Sequence, residues 1–205
     1  MRPLYQETIL PNLCYIGGGG ELAYWLELKA YFDSQKIPFP ILLHRNAAVL
    51  VPKKVADKLG RLQLSPEDMF LKRASLINKK VRQISNIDLD LQSLKKTLEE
   101  QFNFLESLVS QTDASFEGAV KAQQKKQFNG IDNLEQRLLK AQKRKLTDQV
   151  QRLTILHDTL FPNESLQERT VNFSEFYMQY GSKFISVLSK QLDPLSLKFD
   201  WIILD

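Results

Sequence analysis

Cysteine is almost absent from this sequence, since Cys14 is the only one among 205 residues. No internal disulfide can form, and this is typical of a reducing compartment, so we expect a cytoplasmic protein. Histidine is nearly as rare, because His44 and His157 are the only two. These three side chains follow no recognisable metal-ligand spacing, and the sequence therefore predicts no metal site.

Long apolar runs are also missing. The longest ones fall far short of the roughly 20 residues that a membrane-spanning helix needs. The first residues, MRPLYQETILPNL, lack the charged-then-apolar layout of a secretory signal. The hydrophobic content of 43% and the charged content of 25% are ordinary for a soluble protein. We expect no membrane partner.

Proline does not occur between Pro66 and Pro162, and this interval is predicted to be helical. Ser65 fits the N-cap position and Pro66 the first helical position, so the start is well defined. The sequence predicts two antiparallel coiled-coil arms, at about 88–111 and about 115–160, because leucines recur at intervals of three, four and seven. The leucines are Leu91, Leu94, Leu98, Leu105 and Leu108 on the first arm, and Leu139, Leu146, Leu153 and Leu160 on the second.

The region before the helices, residues 10–64, has the pattern of a strand, a glycine turn, a helix and a strand. LCYI is predicted to be a buried strand, Gly17–Gly20 a turn, and Glu21 the start of a helix. Ile41–Val51 is apolar along most of its length, which is typical of an interior strand of a parallel sheet. The sequence thus predicts one right-handed βαβ unit.

The chain is therefore divided into three regions. Residues 10–64 form part of an α/β core, residues 65–161 form the coiled-coil arm, and residues 162–205 return to the core. In the last region, Phe173–Leu192 is predicted to be a helix and FDWIILD a final strand. The fold class is α/β with a long inserted helical coiled coil, mostly α by residue count.

The predicted sheet is small, because α/β sheets have about five strands on average. Two interpretations follow. The chain is part of a larger α/β domain whose other strands come from an upstream segment or a partner chain, or it is a small, complete α+β domain. The first is favoured, since the interior character of Ile41–Val51 requires neighbours on both edges.

Several segments together resemble a known family. LPNLCYIGGGGELAYW, PFPILLHRNAAVLV, the long coiled coil and LFPNESLQERTVNF occur in the order seen in the bacillithiol biosynthesis cysteine-adding enzymes. The resemblance implies a partial Rossmann-like core related to class I aminoacyl-tRNA synthetases, and a homodimer through the coiled coil. It also implies a ligase that joins L-cysteine to glucosaminyl-malate through an amide bond, in the last step of bacillithiol synthesis. An adenine nucleotide, ATP or ADP, is the implied cofactor.

The sequence departs from this family in length. Family members are more than twice as long, and this sequence corresponds to their C-terminal part only. It contains neither His-x-Gly-His nor Lys-Met-Ser-Lys-Ser, the nucleotide motifs of class I synthetases. We therefore expect the isolated chain to be inactive, or to need a separate N-terminal chain.

The four glycines are the first candidate binding element. They lack the Lys-Ser/Thr ending of a phosphate-binding P-loop, and Leu22 replaces the last glycine of a dinucleotide fingerprint. They either form a flexible connection or line a substrate pocket at the end of a parallel strand, and the resemblance favours the pocket. Glu21 would repel a phosphate and suits an amine. Tyr24 is a candidate pocket wall, whereas the spacing of Trp25 is typical of the core.

Other polar residues complete the predicted site. Arg45 interrupts an apolar run, and it pairs either with a malate carboxylate or with an internal acid such as Glu168. The segment after the second arm either faces a ligand or is a polar hinge. The full predicted substrate-binding set is Gly17, Gly18, Gly19, Gly20, Glu21, Tyr24, Arg45, Asn46, Gln167, Glu168 and Arg169. No catalytic residue is predicted.

Two features have simpler interpretations. Cys14 is expected to be a small buried apolar residue. The segment Lys121–Lys145 has eight basic residues against two acidic ones, and a solvated helix face is the expected role. A nucleotide phosphate or the acidic arm of a second protomer are alternatives, and nucleic-acid binding is a weaker one. The competing function is a non-enzymatic coiled-coil dimerisation protein on an α/β scaffold.

Overall fold

The computed structural model describes residues 2–109, 111–112 and 114–205. It divides into two compact units. The α/β unit comprises residues 2–63 and 160–205, and the helical unit comprises the described residues of 64–159. Within the described residues, no helix is both long enough and apolar enough to cross a membrane.

The elements follow one another in this order along the chain. They are α1 (Arg2–Ile9), β1 (Cys14–Gly17), α2 (Gly19–Glu27), α3 (Lys29–Ser34), β2 (Ile41–His44), β3 (Ala47–Pro52), α4 (Lys53–Arg61), α5 (Pro66–Met69), α6 (Arg73–Ile84), α7 (Gln92–Val109), α8 (Ala114–Lys145), α9 (Thr147–Leu160), a 3₁₀ turn (Pro162–Glu164), α10 (Gln167–Thr170), α11 (Phe173–Tyr180), α12 (Ser182–Gln191) and β4 (Phe199–Leu204).

The first half of the α/β unit contains the predicted strand, helix and strand. β1 and β2 are parallel, with Gly17 opposite His44 at their carboxyl ends. The indole of Trp25 is buried on α2 and stacks on the ring of Tyr15, with 4.2 Å between centroids. Phe32 of α3 completes this core. The prediction that Trp25 is a core residue is confirmed.

The predicted single strand Ile41–Val51 is wrong, because the chain forms two strands there. β2 pairs with β1, whereas β3 pairs in parallel with β4, and Arg45 and Asn46 lie between β2 and β3. The Asn46 side chain donates from Nδ2 to the carbonyl of Asp193 at 2.7 Å, so its polar group bonds to a loop rather than to a sheet. Ile41 is 70% exposed while Val51 is fully buried, and only the second strand has interior character.

The predicted helix Phe173–Leu192 is also divided. It breaks at Gly181, whose φ of 61° and ψ of −147° are outside the helical region and favour glycine. α11 and α12 bring Phe176 and Phe184 together, and Phe184 is buried with Ile202 of β4. The break therefore lets two short helices cover the β3–β4 pair. The predicted final strand is confirmed as β4.

The helix α5 begins where Ser65 and Pro66 predict. The side chain of Ser65 accepts a hydrogen bond from the Asp68 N–H, and Pro66 is the first residue of α5. α7 and α8 then form an antiparallel pair, as shown by Lys95 near the start of α7. Its ammonium lies 2.7 Å from a carboxylate oxygen of Asp132 and 3.0 Å from one of Glu135, both far along α8.

The seam between these helices differs from the predicted leucine pattern. Leu94 is 49% exposed, and Phe102 is buried on α7 instead. Along α8 and α9, buried residues recur every eleven positions, and α8 continues through Gly130 without a break. The residues of this repeat are Val120, Ile131, Gln142 and Leu153, and α9 also buries Leu156, His157 and Leu160. An eleven-residue repeat corresponds to 3.67 residues per turn, so it does not favour the left-handed supercoil of a heptad repeat.

Candidate functional site

The candidate site lies at the carboxyl ends of β1 and β2, where the glycines connect β1 to α2. Gly17 ends the strand, Gly18 is the N-cap, and Gly19 and Gly20 belong to the first turn of α2. The expected four-residue turn is therefore corrected, and the helix begins two residues before Glu21. Its first hydrogen bond runs from the Leu22 N–H to the Gly18 carbonyl at 2.9 Å. The preceding amides have no intrahelical acceptor, which makes this end of α2 attractive to an anion.

Of these glycines, Gly17 is required for space, and none has a backbone conformation that only glycine adopts readily. A Cβ on Gly17 would lie 2.8 Å from Cε1 of Tyr15, closer than van der Waals contact allows. A Cβ on Gly18 would lie 3.5 Å from Cζ of Arg45 and 3.5 Å from Nη2 of Arg169. Around Gly20 there is nothing within 4 Å of such an atom. Two guanidinium groups thus lie close to the backbone of Gly18, at distances that a Cβ there would still tolerate.

Arg45 and Arg169 come from different parts of the chain and meet at Gly18. The Arg45 N–H donates to the Gly17 carbonyl at 2.9 Å, which fixes this residue directly beyond β2. Arg169 belongs to α10. About half of each side chain is exposed, 45% for Arg45 and 55% for Arg169. The pair is therefore open to solvent and to a ligand.

Glu168 lies between the two arginines. Its Oε1 is 3.9 Å from Nη2 of Arg45 and 3.8 Å from Nε of Arg169. These are ion-pair distances and exceed the usual hydrogen-bond range of roughly 2.7–3.2 Å. The structure thus contains the Arg45–Glu168 pairing that the sequence left as one of two alternatives. Glu168 therefore compensates one guanidinium charge, and the carboxylate of Glu21 also lies beside Gly18.

Glu21 has a structural role at this site. Its Oε2 accepts a hydrogen bond from the Gly18 N–H at 2.7 Å, so the carboxylate caps its own helix. This bond uses one of the amides that an anion would otherwise bind. The carboxylate is also held in place, facing the cleft described next.

Tyr24 and Glu21 line a cleft of about 320 Å³ between α1 and the start of α2. The ring of Tyr24 is 49% exposed. Tyr15 and Trp25 form the aromatic part of the wall, and Arg2 also lines the cleft. Sequence reasoning did not identify Arg2, because only the packing of α1 brings it to this cleft.

Asn46 and Gln167 are held by the fold. Gln167 is 4% exposed, and its amide bonds to both backbone groups of Leu50, at 2.8 and 3.1 Å. Both residues line a separate, mostly apolar cavity of about 290 Å³, together with Glu168 and Phe176. Neither residue provides any of the three atoms nearest to a Cβ on Gly18.

Cys14 lies apart from Gly18, whereas His44 lies near the glycines. Cys14 is exposed, so the expectation of a buried residue is wrong, and it stands at the amino end of β1, away from Gly17. His44 ends β2, and its Nε2 would lie 3.6 Å from a Cβ on Gly19. Within the described ranges, no group of three or more His, Cys, Asp or Glu side chains could hold a metal ion.

The chain matches two family models. Residues 48–204 match the model described as "Bacillithiol biosynthesis BshC, C-terminal coiled-coil domain". Residues 1–46 match the one described as "Bacillithiol biosynthesis BshC, N-terminal Rossmann-like domain". The chain belongs to the BshC family. The predicted fold class, a partial Rossmann-like core with a long coiled coil, is thereby confirmed.

Similar proteins carry the same family name. A protein of Christiangramia forsetii is 59% identical over 97% of this chain, and one of Flavobacterium johnsoniae is 54% identical over 98%. A protein of Lysinibacillus sphaericus is 28% identical over 93%. Each is named "Putative cysteine ligase BshC". The chain spans 37%, 38% and 36% of the length of these three relatives.

The boundary between the two BshC models coincides with a feature of the fold. The Rossmann-like match ends at residue 46 and the coiled-coil match begins at residue 48. This is where the chain passes from β2 to β3 beyond Arg45 and Asn46. The predicted division into residues 10–64, 65–161 and 162–205 differs from these matches and stays a prediction.

Proposed function

We propose that this chain supplies part of the substrate site of a BshC cysteine ligase. The proposed reaction forms an amide bond between L-cysteine and glucosaminyl-malate, the last step of bacillithiol biosynthesis. Family membership and the names of the relatives support this reaction. Since the chain spans 37% of the length of the first of these relatives, its own contribution is binding, and turnover requires the remainder of the ligase.

The convergence of Arg45 and Arg169 on Gly18 is the observation that carries the proposal. The malate part of the substrate bears carboxylate, and a guanidinium matches a carboxylate with two parallel hydrogen bonds. The positive end of α2 adds backbone donors at the same place. A substrate carboxylate would join Glu168 between the two guanidinium groups.

An adenine nucleotide is the proposed cofactor. The same two arginines fit a phosphate, because phosphate and carboxylate are recognised by the same donors. When bound, the nucleotide would supply the energy for activating a carboxylate. Arg45 and Arg169 would hold and orient the anionic group in either case.

Binding measurements test the substrate proposal. Isothermal titration of the purified chain with glucosaminyl-malate should give saturable binding, and glucosamine without malate should bind at least about ten-fold more weakly, since a charged hydrogen bond contributes about 1.5–3 kcal/mol.

R45Q and R169Q should each weaken glucosaminyl-malate binding by a similar factor. R61Q, an exposed arginine at the end of α4, is the matched control and should bind like the wild type. Equal affinity for both ligands, or unchanged affinity in both site variants, contradicts the proposal.

We also propose a homodimer through the outer face of α7. Leu94 is 49% exposed and Phe104 is 64% exposed, and Thr97 and Gln101 continue this face at coiled-coil spacing. Its neighbours Glu99 and Glu100 complement the basic surface of α8 on a second copy. F104E should convert a dimer into a monomer in light-scattering measurements, whereas F104L should not. The non-enzymatic alternative predicts this dimer without any ligand binding.

A cytoplasmic location completes the proposal. The thiol of Cys14 is exposed and is the only one in the chain. A reducing compartment would keep such a thiol from forming disulfides between chains. The same compartment would hold the thiol substrate of a cysteine ligase in its reduced form.

A further inference from the structure

Arg45 and Arg169 do not line the cleft between α1 and α2, although Glu21 borders both the cleft and the arginine pair. Its volume is about 320 Å³, near the lower end of the range for small-ligand pockets. One side is aromatic, with Tyr15 and the buried Trp25 stacked 4.2 Å apart. Tyr24 and Gln6 contribute hydroxyl and amide groups.

The cleft carries both signs of charge. Among its described lining residues, Arg2 is the cation and Glu21 the anion. The position of Glu21 is defined, because its Oε2 is hydrogen-bonded to the Gly18 N–H at 2.7 Å. A carboxylate has about four acceptor positions, so this bond leaves acceptors for a ligand. Arg2, in the first turn of α1, offers the donors that match a carboxylate.

A ligand that complements this arrangement has an ammonium and a carboxylate close together and a small side chain. Complementary charges of this kind select a ligand by penalising one that lacks either group. The aromatic side favours a sulfur atom, since sulfur makes attractive contacts with aromatic rings. Amines without a carboxylate, and acids without an amine, would leave one charge of the cleft unpaired.

We propose that this cleft binds a zwitterionic α-amino acid, with Glu21 accepting from its ammonium and Arg2 donating to its carboxylate. The identification of that amino acid as L-cysteine rests on the proposed ligase function. The ligand site itself rests only on the cleft. It lies next to the anion site at Arg45 and Arg169, with Glu21 between them, and differs from that site in its lining residues.

The fluorescence of Trp25 tests this proposal directly. The sequence has two tryptophans, so W201F leaves Trp25 as the only emitter. In this background, L-cysteine should change the emission saturably, in the presence of a non-thiol reductant. Cysteamine lacks the carboxylate and 3-mercaptopropionate lacks the ammonium, and each should bind at least about ten-fold more weakly. L-Serine should bind more weakly than L-cysteine, because it lacks the sulfur.

Two variants test which charged residue of the cleft binds which charged group of the ligand. R2Q should remove the preference for L-cysteine over cysteamine while keeping the preference over 3-mercaptopropionate, and E21Q should do the reverse. Glutamine at position 21 can still accept from the Gly18 N–H, so the helix cap is retained. R61Q and E27Q, exposed residues on α4 and at the end of α2, are the matched controls.

The proposal is overturned if no ligand gives saturable change, or if R2Q and E21Q weaken all ligands equally. If W201F does not fold, the indole N–H signal of Trp25 in ¹⁵N-labelled protein with both tryptophans gives the same test. Failure here leaves malate binding at Arg45 intact. Conversely, amino-acid binding without malate binding would contradict the proposed function alone.

Discussion

The side-chain amide of Gln167 is hydrogen-bonded to both backbone groups of Leu50. Oε1 accepts from the Leu50 N–H at 2.8 Å, and Nε2 donates to the Leu50 carbonyl at 3.1 Å. These backbone groups lie on the edge of β3 that β4 does not cover, so the amide takes the place of a neighbouring strand. The bond also fixes the start of α10, and with it the positions of Glu168 and Arg169.

Q167E should destabilise the α/β unit. The carboxylate cannot donate to the Leu50 carbonyl, and a buried unsatisfied group costs about 1–3 kcal/mol, more when it is charged. Urea unfolding at pH 7 should show this loss. Acidification should restore part of it, because a protonated glutamate regains the donor. Q149E, at an exposed position of α9, should change the free energy of unfolding by at most about 0.5 kcal/mol.

Alanine substitutions should show whether a glycine is needed because a side chain would not fit or because the backbone must be flexible. G17A should lower stability by about 1–3 kcal/mol, because its Cβ would lie 2.8 Å from Tyr15 Cε1 and that ring is stacked on Trp25. G20A should be neutral or stabilise by up to about 1 kcal/mol, since its Cβ meets nothing and the unfolded chain loses freedom. Thermal unfolding of both variants provides the comparison. Equal effects would mean that the glycines serve flexibility instead.

Gly181 should tolerate no side chain. Its φ of 61° with ψ of −147° is a region that residues other than glycine adopt only at a cost of about 1–3 kcal/mol. G181A should lower the denaturant midpoint accordingly. G118A, in the open helical position of α8, should instead raise stability by about 0.5–1 kcal/mol. A G181A protein as stable as the wild type would contradict the assigned backbone conformation.

The ion-pair cluster of the helical unit should make its stability depend on pH. The guanidinium of Arg82 and the ammonium of Lys95 lower the pKa of Glu135 below its ordinary value of 4.5. The contribution of this carboxylate is therefore present above pH 4.5 and is lost as the pH falls through the lowered pKa. The pKa of Lys95 is raised above 10.5 by Asp132 and Glu135, so its contribution is lost only at alkaline pH.

Thermal unfolding from pH 7 to pH 3 tests this dependence. E135Q should melt below the wild type at pH 7, and the difference should shrink as the wild-type carboxylate becomes protonated. E106Q, an exposed residue of α7 outside the proposed dimer face, is the matched control and should show no comparable convergence. A difference that stays constant over this range would show that Glu135 acts through packing alone.

Much of the fold could be predicted from local pattern. The Ser65 cap, the first position of Pro66 and the strand-to-helix transition at the glycines all depend on neighbours in the sequence. Helical periodicity predicts the coiled coil, but it does not predict which residues are buried between its helices. Leu94 fits the leucine spacing but is 49% exposed, because burial depends on which face of α7 meets α8.

For the candidate site, the sequence predicted which residues belong to it better than how these residues are arranged. Glycines, arginines and polar segments stand out against an apolar background, so Gly18, Arg45 and Arg169 could be selected from the sequence. Their meeting could not be derived, because Arg169 follows the whole helical arm. Arg2 was missed for the same reason, since no local pattern indicates that α1 packs beside α2.

The sequence alone determined the strand-to-helix transition at the glycines, the helical character of residues after Ser65, the final strand and the family to which the chain belongs. These properties follow from periodicity, capping and motif order, which act over a few residues or along the chain. Only the tertiary structure decided that Ile41–Val51 divides between two strand pairs, that Gln167 covers the edge of β3, and that Glu21 caps α2 beside a charged cleft. Each of these depends on a hydrogen-bond partner or a packing surface that the fold brings into contact, and such partners are chosen by geometry in three dimensions.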